Sequence, residues 1–123
     1  MPGTGVMLSV AANTRIFVCC EPTDMRKSFD GLCGLVTDSL GQDPLSGALF
    51  LFANRRRDRI KLLVWDGDGY ALWYKRLEAG TFQIPQAKAL QSSVIISQGE
   101  LAMLLDGIDL TSVKRRKRYK RAA

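Results

Sequence analysis

Residues 48–77 read ALFLFANRRRDRIKLLVWDGDGYALWYKRL, three apolar runs separated by two polar turns. Runs of Leu, Ile, Val, Phe, Trp and Tyr between such turns are typical of β-strands. The glycines of Asp66-Gly67-Asp68-Gly69 predict a tight hairpin, because glycine tolerates the positive φ that two-residue turns require. The stretch therefore predicts an antiparallel meander with strands over 48–53, 59–65 and 70–77, and a short fourth strand over 81–84.

The turn at 66–69 sets the register of this meander and places Trp65 opposite Tyr70. Counting back from that pair, one face of the sheet collects apolar side chains and is predicted to be the core face: Phe50, Phe52, Ile60, Leu62, Val64, Ala71 and Trp73. The other face interleaves basic, aromatic and leucine side chains: Arg59, Lys61, Leu63, Trp65, Tyr70, Leu72, Tyr74 and Arg76. A one-residue bulge would exchange the two faces beyond it.

Other elements flank the meander. The run Arg15–Cys20 predicts a buried first strand, and Thr23 is placed to cap a helix over 24–40. The apolar stripe of that helix recurs at spacings of three and four: Met25, Phe29, Leu32, Val36 and Leu40. Ser97-Gln98-Gly99-Glu100 has the form of a capping box and begins a last helix. The fold class is therefore α+β, an antiparallel meander of three to five strands with one long helix packed on its core face and a shorter C-terminal helix.

The charge is concentrated near the end of the chain. The protein has 123 residues and a net charge of +6, but removing seven basic residues of the tail leaves 11 basic against 12 acidic residues. We therefore expect a single compact, nearly neutral domain over 1–110, with the first dozen residues irregular, and a basic, disordered tail over 111–123. Such a tail attracts polyanions, nucleic acid first among them; the alternative is a tail that only improves solubility.

The basic and aromatic residues suggest a surface for nucleic acid, since cations neutralise phosphates and aromatic rings stack on bases. The candidate stacking residues are Trp65, Tyr70 and Tyr74. The candidate nucleic-acid-binding residues are Arg55, Arg56, Arg57, Arg59, Lys61, Lys75, Arg76, Lys114, Arg115, Arg116, Lys117, Arg118, Lys120 and Arg121. The alternative is that Leu63 and Leu72 mark a face covered by protein, either the C-terminal helix or a second copy of the chain.

A second candidate site lies at the start of the predicted 24–40 helix. Arg26 and Lys27 fall in its first turn, where the helix dipole disfavours cations. Asp24, Glu21 or Asp30 could compensate within the protein, which is the structural interpretation. The functional interpretation is a site for a phosphate or an acidic partner, held also by the free backbone N–H groups of the helix start.

The composition argues against several classes of function. The chain has no histidine, the commonest general base and metal ligand, and no phosphate-loop or dinucleotide-binding motif. Its three cysteines lack the spacing of a zinc site or disulfide framework. No apolar run reaches the ~20 residues of a membrane-spanning helix, and the first residues lack a charged secretory leader. We therefore expect a cytoplasmic protein without membrane contact, cofactor, metal or catalytic residues.

A series of short motifs resembles a known family. The series comprises Thr23-Asp24-Met25-Arg26-Lys27, Phe29-Asp30-Gly31-Leu32, Asp43-Pro44 with Gly47, Leu49-Phe50-Leu51-Phe52, Trp65-Asp66-Gly67 with Gly69, Lys75-Arg76-Leu77-Glu78, Gly80 with Phe82, and Leu104-Leu105-Asp106-Gly107-Ile108-Asp109. Over roughly residues 14 to 110 the chain is similar to the small second-frame accessory protein of insertion-sequence family sixty-six. That protein is labelled TnpB, a name it shares with an unrelated RNA-guided nuclease.

The resemblance implies a protein required for movement of the element beside a separately encoded DDE transposase, but not the enzyme that cuts the strands. Two hypotheses follow. The chain is a non-catalytic accessory protein that contacts DNA through its basic residues and assists the transposase, or it is an adaptor that docks the transposase or another element-encoded protein without specific DNA binding. Both hypotheses use the same basic residues, so the sequence leaves them open, together with the oligomeric state.

Overall fold

The computed structural model describes residues 11–86 and 90–107, which form a five-stranded sheet and two helices. In chain order these are β1 (Ile16–Cys19), α1 (Phe29–Asp38), β2 (Leu49–Ala53), β3 (Arg59–Trp65), β4 (Tyr70–Arg76), β5 (Ser93–Ile96) and α2 (Gln98–Asp106). The strands lie side by side in the order β4-β3-β2-β1-β5. The predicted α+β class is confirmed. No helix within the described residues is both long and apolar enough to cross a membrane.

The sheet is mixed, which corrects the purely antiparallel arrangement predicted from the sequence. β2, β3 and β4 form the predicted antiparallel meander, with Trp65 opposite Tyr70. β1, however, runs parallel to β2 and antiparallel to β5. The connection through α1 carries the chain from the end of β1 back to the end of the sheet where β1 begins. Because β2 starts from that same end, it runs parallel to β1. Residues 81–84, predicted as a fourth meander strand, are not a strand, although Phe82 and Ile84 are buried.

Both faces of the sheet are covered. On one face, here called the α1 face, Leu32 and Val36 of α1 pack with Phe17, Phe50 and Leu63. On the other, the α2 face, Leu101 and Leu104 of α2 pack with residues of β1, β2, β3, β5 and the 82–84 segment, namely Ile16, Val18, Leu49, Leu51, Ala53, Ile60, Leu62, Ile96, Phe82 and Ile84.

The predicted division into faces was right for β3 and β4 and wrong for β2. Phe50 is paired with Leu63, so Phe50 and Phe52 lie on the α1 face rather than beside Ile60 and Leu62. Of the predicted helix stripe, Met25, Leu32, Val36 and Leu40 pack on the face that carries Leu63 and Leu72, whereas Phe29 is exposed. Every residue of β2 is buried, so its sequence carries no inside-outside alternation that could have set its register.

The bounds of the first helix also differ from the predicted 24–40, most at its start, and α1 ends at Asp38. α1 begins at Phe29 after Ser28, not after Thr23, because residues 24–28 are held in a turn described below. α2 begins at the predicted capping box, in which Ser97 accepts from the Glu100 N–H and the Glu100 carboxylate accepts from the Ser97 N–H. It ends at Gly107, whose φ of 83° is left-handed.

Candidate nucleic-acid interface

The C-terminal ends of β1 and β2 lie at the same edge of the sheet, because the two strands are parallel. Two connecting segments meet there, residues 20–28 before α1 and residues 54–58 between β2 and β3. The Thr23 N–H donates to the Ala53 carbonyl at 2.8 Å, and buried Thr23 fixes the first segment against the second. We call this end of the molecule the basic edge, because the two segments carry five of its basic residues: Arg26, Lys27, Arg55, Arg56 and Arg57.

The arginine loop, residues 54–58, is held by the side chain of Asn54. The Asn54 Oδ1 accepts from the backbone N–H groups of Asp58 and Arg59 at 3.1 Å each, and its Nδ2 donates to the Asp58 carboxylate at 2.7 Å. That last bond lowers the pKa of Asp58. The Phe82 N–H donates to the Arg57 carbonyl at 2.7 Å, which ties the loop to the 82–84 segment. The loop therefore presents its exposed Arg55, Arg56 and Arg57 side chains from a fixed backbone.

Arg57 adopts a φ of 60°, the one positive φ at a non-glycine residue among those the structure describes. A left-handed conformation costs an L-residue roughly 1–2 kcal/mol relative to the right-handed one. A glycine would relieve that strain. The chain instead has a cation at the position.

Arg26 is paired with Asp24 within the 20–28 segment. The Arg26 Nε lies 3.1 Å and 3.0 Å from the two carboxylate oxygens of Asp24, and its Nη2 lies 2.7 Å from Oδ2. The Arg26 backbone N–H also donates to the Asp24 Oδ1 at 2.9 Å, which closes a turn outside the helix. These bonds lower the pKa of Asp24 to about 2. Arg26 is therefore paired with Asp24 outside the helix, and the predicted placement of Arg26 and Lys27 in the first helical turn was wrong, because α1 begins at Phe29.

Lys61 is buried on the α1 face, which corrects its predicted place on an exposed basic surface. Its Nζ donates to the carbonyls of Met25 and Lys27 at 2.7 Å and 2.6 Å. The same ammonium lies 4.7 Å from the centre of the Tyr74 ring, a cation–π distance. Lys61 therefore attaches the 20–28 segment to the sheet by hydrogen bonds, and its ammonium is used in these contacts rather than presented to solvent.

Arg26 and the arginine loop line one cleft, although they are about 30 residues apart in the sequence. The cleft has a volume of about 390 Å³ and is lined by Thr23, Asp24, Met25, Arg26, Asn54, Arg55, Arg56, Arg59 and Tyr74. Its charged side chains are four arginines and one aspartate. The sequence predicted Arg26 and Arg55–Arg57 as separate sites, and the fold brings Arg26, Arg55 and Arg56 together.

A smaller concavity of about 180 Å³ lies beside the arginine loop and is lined by Arg55, Arg57 and the end of β1. Cys19 and Cys20 border it. Burial raises the pKa of the Cys19 thiol, which disfavours the reactive thiolate. Among the described residues, no three or more Cys, Asp and Glu side chains are grouped closely enough to hold a metal ion.

Arg59 and Arg76 extend the basic edge along the sheet. They are directly opposite each other in the β3–β4 pair, an arrangement of like charges that is unfavourable. The Arg76 Nε lies 3.0 Å from the Glu78 carboxylate, in an exposed ion pair. The Arg59 Nη1 lies 3.5 Å from the Tyr74 hydroxyl in the cleft. Half-buried Lys75 is next to Arg76 but points to the α2 face, since successive residues of a strand alternate.

Two of the three candidate stacking residues are far from this edge. Trp65 and Tyr70 flank the 66–69 turn at the opposite end of β3 and β4, where their rings meet edge to face at 5.1 Å. Desolvation and the neighbouring Cys33 raise the pKa of Tyr70. That end carries the carboxylates of Asp66 and Asp68. Tyr74 is the one candidate at the basic edge, and it is 48% exposed.

The roles of two residues that shape the site were not recognised from the sequence. Asn54 organises the arginine loop, and its signal in the sequence was no more than the general frequency of asparagine in turns. Lys61 was predicted to be exposed because it falls, with Arg59, on the face of the strand opposite the apolar Ile60 and Leu62. The predicted tail residues Lys114–Arg121 lie outside the described residues.

Comparisons with known proteins agree with the resemblance seen in the sequence. The family model described as IS66 Orf2 like protein matches residues 14–115. Two proteins of Sinorhizobium fredii are similar over most of their length, both described as uncharacterized. One, y4jC, is 37% identical over 110 residues, covering 89% of this chain and 92% of its own. The other, y4hO, is 38% identical over 103 residues, covering 84% and 88%. No solved structure matches this chain.

Proposed function

The chain belongs to the IS66 Orf2-like family of transposition-associated accessory proteins, and from that premise we propose that it contacts DNA through its basic edge while assisting a separately encoded DDE transposase. The proposed role is non-catalytic, in keeping with a sequence without histidine. We expect it to act in the cytoplasm, where bacterial DNA lies.

One observation carries the proposal: arginines distant in sequence converge at one end of the sheet on a backbone that is already fixed. The Asn54 hydrogen bonds hold the arginine loop, and the Lys61 bonds hold the segment that carries Arg26. Because their backbone is already held, these arginines lose less backbone conformational entropy when they meet phosphates. The carboxylates of Asp66 and Asp68 at the opposite end would turn this edge toward a polyanion.

Within this proposal the body and the tail act together. Arg55, Arg56, Arg57, Arg59 and Arg76 are the body residues proposed to meet phosphates, with Arg26 beside them. The cations of Lys114–Arg121 would add a second, sequence-independent contact that raises the effective concentration of DNA near the body. Lys61 is left out of the set because its ammonium is buried.

The test is a salt titration of binding to a labelled DNA duplex, followed by fluorescence anisotropy. Each phosphate contact contributes about 0.9 to the slope of log affinity against log salt. Replacing Arg56 by serine should weaken binding and lower that slope by about 0.9. Arg15→Ser is the matched control, because it removes the same charge at the N-terminal start of β1, at the opposite end of the sheet.

A third variant separates the body from the tail. Replacing all seven basic residues of Lys114–Arg121 by glutamine should lower the slope further and leave residual binding that depends on Arg56. If the unmodified chain fails to bind duplex or single-stranded DNA at about 0.15 M salt, or if Arg15→Ser and Arg56→Ser weaken binding equally, the proposal is wrong.

An adaptor role is the second candidate, and the observation that favours it is an exposed apolar side chain on the outermost strand of the sheet. β5 is the last strand of the sheet, and its Ile95 is 61% exposed. Exposed apolar side chains on an edge strand favour contact with another protein. Under this alternative, Ile95→Lys would abolish direct association with the purified transposase of the same element, while Arg56→Ser would not.

A further inference from the structure

Tyr74 lies in the same cleft as four arginines, and its ring is held in place from one side. Lys61 is its cross-strand neighbour and sets its ammonium over one face of the ring, 4.7 Å from the ring centre. Arg59 lies 3.5 Å from the hydroxyl. Lys61 thus occupies one face of the ring, and Tyr74 remains 48% exposed.

We propose that this cleft takes an unpaired nucleotide of a DNA single strand, with the base stacked on the open face of Tyr74 and the adjoining phosphates bound by Arg26, Arg55 and Arg56. This inference rests on the proposed DNA contact and specifies which form of DNA the body recognises. Aromatic rings accept any base by stacking, and cations beside them track the backbone, a combination typical of single-strand sites.

The size of the cleft supports a nucleotide over a duplex. A volume of about 390 Å³ lies in the roughly 300–1,000 Å³ range of pockets that enclose small ligands. A duplex can bring only its phosphates and groove edges to this opening, because its bases are paired and stacked inside the helix. An unpaired base presents a free π face, whereas a paired and stacked base presents only its edge.

The charge of the cleft fits the backbone of a single strand. Asp24 is its one carboxylate, and it is already bonded to Arg26 on both oxygens. With four arginines the cleft keeps an excess of positive charge. Arg26, whose side chain is 91% exposed, can meet a phosphate without leaving Asp24.

The test compares single-stranded and duplex DNA of the same sequence by fluorescence anisotropy, with the full chain at fixed salt. We expect tighter binding to the single strand. Tyr74→Leu should weaken single-strand binding about 5- to 150-fold, the range for loss of one base–aromatic stack, with little effect on the duplex. Tyr74→Phe keeps the ring and should stay within about threefold of the unmodified chain.

Two controls make the result specific to the cleft. Trp65→Leu removes a larger aromatic ring at the opposite end of the sheet and should leave single-strand affinity unchanged. A single strand carrying 2-aminopurine should lose fluorescence on binding to the unmodified chain and to Tyr74→Phe but not to Tyr74→Leu, which reports stacking directly. Urea unfolding of each variant shows that it is folded.

The outcomes separate this inference from the proposed function. If the chain binds duplex as tightly as single strand, or if Tyr74→Leu weakens both equally, the cleft does not hold an unpaired base, while DNA contact by the basic edge stands. If the unmodified chain binds neither form of DNA, the proposed function fails and this inference fails with it.

Discussion

Lys61 offers the sharpest test of how the basic edge is built. Its ammonium is buried on the α1 face, where it donates to the Met25 and Lys27 carbonyls at 2.7 Å and 2.6 Å and lies against the Tyr74 ring. Lys61→Met keeps a long, flexible side chain and removes the charge and the donors. The segment before α1 would then lose its main attachment to the sheet on this side.

The expected loss of stability follows from those contacts. A hydrogen bond to a charged group contributes about 1.5–3 kcal/mol, so two such bonds amount to roughly 3–6 kcal/mol. The ammonium no longer has to be desolvated in the variant, which offsets part of that loss. We therefore expect Lys61→Met to lower the free energy of unfolding by about 2–4 kcal/mol, a large share of the 5–15 kcal/mol typical of a domain.

Urea unfolding followed by tryptophan fluorescence measures this loss. Lys27→Met is the matched control, because the same substitution at an exposed lysine of the attached segment should change stability by no more than about 0.5 kcal/mol. Amide hydrogen exchange should also accelerate in residues 23–28 of the Lys61 variant. Equal stability of the two variants, with unchanged exchange in that segment, would refute the assignment of Lys61 as the attachment.

Three further predictions concern stability and titration. Arg57→Gly should be up to about 1 kcal/mol more stable than Arg57→Ala in urea unfolding, because both lose the cation but only glycine relieves the left-handed φ of 60°; a less stable glycine variant would contradict this. Ser97→Ala should lose about 1 kcal/mol by removing the cap of α2, and an unchanged unfolding midpoint would count against the capping box. The pKa of Asp24, about 2 beside Arg26, lies below its ordinary 3.8, so the stabilising contribution of this pair is present above about pH 4 and is lost as pH falls toward 2. Carboxyl carbon shifts in NMR should follow that titration, and Arg26→Ala should return it toward 3.8; a midpoint that does not move would show that Arg26 is not the cause.

The local elements were largely predictable because each is specified by neighbouring residues. Alternation along β3 and β4 and the Gly67 and Gly69 turn indicated the hairpin and its register, with Trp65 opposite Tyr70. The Ser97 and Glu100 capping box indicated where α2 begins. These signals act over a few residues, so no tertiary contact is needed to read them.

The start of α1 was not predictable from the same signals. Thr23 is a good capping residue, but it is buried and its N–H donates to Ala53 of β2. The pairing of Asp24 with Arg26 then competes with helix formation over the next residues. The position of Thr23 depends on its bond to Ala53, 30 residues later, and a local helical pattern carries no information about so distant a contact.

The sequence by itself determined the α+β class, the meander, the last helix and the family of this protein, because apolar periodicity, turn residues and motifs are local properties. Tertiary structure decided the rest. The parallel pairing of β1 with β2 put two distant segments at one edge, and the register of fully buried β2 decided which of its side chains face α1. Only then do Arg26, Arg55 and Tyr74 share a cleft while Lys61 is withdrawn from it. Strand order and register decide which side chains meet. The central strand β2 is apolar on both faces, so its sequence does not specify its register, which is set only when the sheet assembles.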